Sequence, residues 1–154
     1  MAYDARQIAN WFIERATRDG RSLSIMALLK LVYIAHGWNL EIRGKPLFAN
    51  RIEAWRYGPV IPDVYNALRP QGIAPSKPSE GFDAPTEAGD VEFLNQIYAI
   101  YGNMSPFRLS ELTHVAGGPW ETATKWGGNY APIPDDLILA HYVQKRQQAN
   151  LANG

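Results

Sequence analysis

The chain predicts a mainly α single compact domain of about six helices with a small β-hairpin or short strand pair. Apolar residues recur at three- and four-residue spacing in several stretches set apart by glycine and proline. One stretch, Leu23 to Trp38, is apolar on every side, the mark of a helix at the centre of a fold. Only one brief run, around Ile52, alternates as a strand does.

The elements follow in order. Asp4 is an N-cap, and Ala5, Ile8, Trp11, Phe12 and Ala16 form one apolar stripe up to Gly20. The central helix starts at Ser22 or Ser24 and runs to Leu40 or Ile42, before Gly44 and Pro46. Leu47 to Trp55 reads as one short strand or hairpin arm, with Gly58-Pro59 and Pro62 marking a turn. Pro62 or Asp63 opens a short helix through Leu68, since proline suits a first helical turn. Residues 69–85 carry four prolines and two glycines, and a loop of that length is expected to be mobile. Val91, Leu94, Ile97, Tyr98 and Tyr101 give an amphipathic helix. Ser105-Pro106 starts another, carried by Leu109 and Leu112 to Val115/Ala116 and stopped by Gly117-Gly118. A short turn or helix follows over Pro119–Trp126, and a last helix runs from Pro134. The domain spans 1–148, with 149–154 as a flexible tail.

Composition narrows the function. The 154 residues hold 15 basic and 15 acidic side chains, a formal net charge of zero. A dedicated nucleic-acid binder normally has excess positive charge, so a nucleic-acid partner is not expected. Cysteine is absent, which removes thiolate nucleophiles, disulfides and cysteine-held metals and fits a reducing cytoplasm. The first residues are too polar for a signal peptide, and Leu23–Trp38, interrupted by Ser24, Lys30 and His36, is short for a membrane span. A soluble, cytoplasmic protein with no membrane partner is expected.

No nucleophile elbow, phosphate-cradling loop or His-Glu-x-x-His occurs. Glu111-x-x-His114 would set a carboxylate and an imidazole on one helix face, but di-iron bundles need two such motifs and further glutamates, so no metal or other cofactor is expected. Trp55-Arg56-Tyr57, followed by Pro59, joins aromatics to arginine, as interface anchors do. The competing reading makes Trp55 core and Tyr57 a turn cap. His114 and Trp120 are a third candidate, for partner contact or for locking a helix corner.

Together the segments resemble one family. They are Leu28-Leu29-Lys30-Leu31-Val32-Tyr33-Ile34-Ala35 with Gly37-Trp38, Gly44-x-Pro46-Leu47-Phe48, Ile52-Glu53-Ala54-Trp55-x-Tyr57-Gly58-Pro59-Val60-x-Pro62-x-Val64-Tyr65, and Leu112-Thr113-His114 with Pro119-Trp120. In this order the chain resembles the Panacea domain family, the SocA-like antitoxins also seen in phage-associated GepA-type proteins. Leu29 departs from the pattern, since the family often has Gln before the Lys-Leu pair. The resemblance implies an antitoxin that binds a toxin encoded beside it, with Trp55, Arg56, Tyr57, Pro59, His114 and Trp120 as candidate partner-binding residues. An adaptor delivering the toxin to a ClpXP-type protease is the second mechanism it implies. The family supplies no catalytic residues; the rival from the residues alone is a small acid–base enzyme using Glu111 and His114.

Overall fold

The computed structural model describes residues 2–153, with side chains to Ala149. Its axis is the helix α2 (Ile25–Arg43), against which α1 (Ala5–Arg18), α3 (Pro62–Leu68), α4 (Ala88–Tyr101), α5 (Pro106–Thr113) and α7 (Asp135–Asn153) all pack. Among the described residues the remaining elements are α6 (Pro119–Gly127), a 3-10 turn (Arg69–Gln71) and three strands, β1 (Glu53–Trp55), β2 (Gly58–Val60) and β3 (Ala131–Pro132). The fold is mainly α, as the apolar spacing predicts.

Local chemistry explains the helix starts. Asp4 caps α1 by accepting from the Arg6 amide, and the Gln7 side chain accepts from the Asp4 amide. Such a box satisfies backbone donors that a helix start otherwise leaves open. The Arg6 side chain also bonds the Asp4 carboxylate and holds its pKa down at about 2. Ser24 caps α2 through the Ala27 amide, and Gly44 ends it in the left-handed region at φ 70°. Between them Leu28, Leu29, Leu31, Val32, Tyr33, Ile34 and Ala35 are all buried, each large one contributing about 1.5–3 kcal/mol relative to exposure. Length and composition alone would let this helix cross a membrane, but 78% of it lies inside the fold. α7 crosses α2 where Gly37 leaves a notch. A Cβ there would overlap Cε2 of the Tyr142 ring, a contact no side chain can make.

The β region differs from its sequence reading. The expected strand over Leu47–Trp55 is three residues long, and Gly58-Pro59 is not the turn but part of β2. The turn is Arg56-Tyr57, with Trp55 paired to Gly58, Ala54 to Pro59 and Glu53 to Val60. Proline fits because β2 is an edge strand, where a missing donor costs no ladder bond. Leu47 and Phe48 are extended but pair with the chain start at Tyr3 instead. β3 completes an antiparallel sheet of order β2-β1-β3. It is too short to show alternation in sequence, and it is held by Tyr130 N–H to the Ala54 carbonyl and Ile133 N–H to the Ile52 carbonyl, both 2.8 Å.

Two helix ends also move. α5 stops at Thr113 rather than at Val115/Ala116, with His114 as its C-cap. The last helix continues through the expected tail to Asn153. The 69–85 segment opens with a short 3-10 turn and is tied to the body. The buried Asn10 amide bonds Ser79 and Phe82 backbone groups at 2.6–3.0 Å, and Arg6 lies over the Phe82 ring.

Candidate functional site

Three segments distant in sequence meet at one corner: the β1–β2 hairpin, the α5–α6 junction and the first half of α2. The Trp120 indole N–H donates to the Trp55 carbonyl at 2.7 Å and fastens α6 to the hairpin. The His114 ring lies 4.4 Å from the Trp120 ring. Its Nδ1 is 2.8 Å from the Ser110 carbonyl; a carbonyl only accepts, so Nδ1 carries the proton. Among the described residues Nε2 makes no hydrogen bond. Gly58, at φ 121°, passes close to the edge of this ring. A Cβ on it would lie 2.7 Å from His114 Cε1 and 3.0 Å from Lys30 Cε. Only glycine allows that approach and that dihedral together.

The hairpin is stiffened from its other side. Trp55 is half-buried and meets Tyr65 and Tyr130 edge-on, with ring centroids 5.1 and 5.5 Å away. Its indole N–H donates to Glu53, whose other oxygen pairs with Arg51 at 2.7 Å. Pro59 is buried. Beyond these anchors only Arg56 and Tyr57 project. Tyr57 is 63% exposed, and the Arg56 guanidinium lies over its ring at 5.4 Å. The tip is therefore two solvent-facing side chains on a backbone held at both ends. Tyr130 and Trp126 extend the exposed aromatic surface beside it, next to a cavity of about 310 Å³ walled by Ala123, Trp126, Pro132 and Leu137.

The structure brings Trp55, Pro59, His114 and Trp120 together and leaves Arg56 and Tyr57 at the rim. It does not assemble the acid–base pair. Glu111 is exposed and faces Arg108 at 3.8 Å, while His114 is committed to Ser110 and Trp120. His36 pairs with Asp135 at 2.8 Å, and His141 packs on Tyr142. Among the described residues no group of three or more acidic or histidine side chains is placed to hold a metal.

One residue of the corner was passed over in sequence. Lys30 is 1% exposed, and its Nζ has no hydrogen-bond partner among the described residues. Burial pushes its pKa down to about 8. The signal is a single lysine on the otherwise apolar first half of that helix, which in sequence argues against a membrane span and belongs to the segment that carries the family resemblance.

Comparison with known proteins places these motifs. The family model described as antitoxin SocA-like, Panacea domain, matches residues 28–121. The antitoxin SocA of Caulobacter vibrioides is 32% identical over 136 residues, covering 81% of this chain and 72% of that protein. No solved structure matches significantly.

Proposed function

The chain belongs to the SocA-like Panacea domain family of antitoxins, and from that premise we propose that it neutralises a cognate toxin by direct binding through the hairpin corner. The partner is a toxin protein encoded nearby, met in the cytoplasm. The mechanism is occlusion: a preformed surface covers the toxin's working site, with no covalent step and no cofactor. The observation that carries this reading is the hairpin tip. Tyr57 and Arg56 stand in solvent while Trp55, Gly58 and Pro59 behind them are fixed against Trp120, His114 and Tyr65. Rigid aromatics beside arginine lose little entropy on docking and are frequent anchors. A domain of this size can present about 800 Å² to a partner.

Co-expression with the neighbouring gene tests the reading. That gene alone should arrest growth, and this chain should restore it with a complex that purifies intact. Rescue with rapid loss of toxin and no complex would replace occlusion by delivery to a ClpXP-type protease. A harmless neighbour, or no rescue, would refute both.

A further inference from the structure

The charges of the corner do not balance. Of the cations borne by the hairpin, α5 and α6, Arg51 is matched by Glu53 at 2.7 Å, Lys125 by Glu121 at 3.4 Å and Arg108 by Glu111 at 3.8 Å. Arg56 has no carboxylate among the described residues and rests only on the Tyr57 ring. Lys30, on α2, is enclosed, and its Nζ makes no hydrogen bond. Its Cε and Nζ lie directly under Gly58, and the half-buried His114 ring shares that contact point. Gly58 is itself buried, so its backbone and the imidazole pack against the ammonium end of the side chain.

A cation so placed acts outward. Low-dielectric surroundings screen it far less than an exposed lysine, so its field reaches the surface above. Burial of an unpaired charge is also costly, and a partner that brings the opposite charge close offsets part of that cost on binding. The half-buried His114, whose Nε2 has no partner among the described residues, offers a polar contact at the same spot.

We propose that the hairpin corner receives an acidic segment of the toxin, its carboxylates paired with Arg56 at the tip and favoured by the field of Lys30 enclosed beside Gly58. This inference rests on the antitoxin reading and specifies the partner chemistry it requires. The aromatics supply contact area, and the two cations set which surface of the partner is accepted.

The test uses the full chain and the purified product of the neighbouring gene, titrated by calorimetry at about 50 and about 300 mM salt. Wild type should bind and weaken with salt. Arg56→Glu should bind about tenfold or more weaker with a shallower salt dependence, Arg56→Lys should stay near wild type, and Lys30→Met should lose about tenfold. Arg56 is exposed at a turn, so its variants keep the test decisive if Lys30→Met folds poorly. Wild-type binding with Arg56→Glu within twofold of it, or equal loss in Arg56→Glu and Arg56→Lys, overturns the acidic-segment inference and leaves the antitoxin reading standing. Absence of both binding and growth rescue in wild type overturns the two together.

Discussion

Replacing Lys30 by methionine should stabilise the isolated protein near neutral pH, by an amount the structure sets. Methionine keeps an unbranched stem of similar length and removes only the ammonium. An ordinary lysine titrates at 10.5, and Lys30 does so at about 8 because burial penalises its charged form. At about 1.4 kcal/mol per pH unit, holding that charge inside the fold costs about 3 kcal/mol. The sign follows from proton counting. Below about pH 8 both folded and unfolded chains carry the proton, and the penalty is complete. Between about 8 and 10.5 the unfolded chain holds the proton and the folded chain sheds it, so stability rises with pH. Lys30→Met should therefore exceed wild type by up to about 3 kcal/mol at about pH 7, and by about 2 kcal/mol less at about pH 9.5. Urea melts of both chains at the two pH values measure this. Taking the difference cancels Tyr33 and Tyr142, whose raised pKa values act in the opposite direction at higher pH. A less stable variant at neutral pH, or a gap that ignores pH, would refute the account of an uncompensated buried charge.

Tyr57→Ala should cost about 2 kcal/mol or more of toxin affinity and well under about 1 kcal/mol of stability; a large loss of stability with unchanged affinity would place the interface elsewhere. Gly58→Ala should destabilise by about 2 kcal/mol or more, since it adds strain at φ 121° to a 2.7 Å approach to His114. A melt displaced by less than about 0.5 kcal/mol would show that the hairpin shifts freely. Asn10→Ala removes three bonds to the 69–85 segment. Limited proteolysis should then cut that segment sooner than in wild type, and an unchanged cleavage rate would mean the segment is already loose.

What was legible in sequence was what neighbouring residues decide. Asp4, Ser24 and Ser105 cap the helices they announce because a cap is a contact within three residues. The hairpin was misplaced by two residues, since Gly-Pro is ordinary turn chemistry and nothing local says that the strand lies at a sheet edge. β3 could not be read at all: two residues have no period, and its partners sit on β1. The site divides the same way. The aromatic and basic character of residues 55–57 stands in the sequence, whereas the bond from Trp120 to Trp55 joins residues 65 apart. Lys30 was invisible as a site residue because its importance lies in what surrounds it.

The notch at Gly37 bears on the order in which this protein becomes itself. Until α7 is synthesised, Tyr142 is missing from its place against Gly37, and that flank of the core helix stays open to solvent and to chaperones or proteases. A nascent chain ending at residue 134 should therefore bind a hydrophobic dye that the full chain ignores; no such difference would mean that the earlier helices close over the gap unaided. The helix order thus leaves one flank of α2 uncovered until α7 emerges, an interval in which the unfinished fold is exposed.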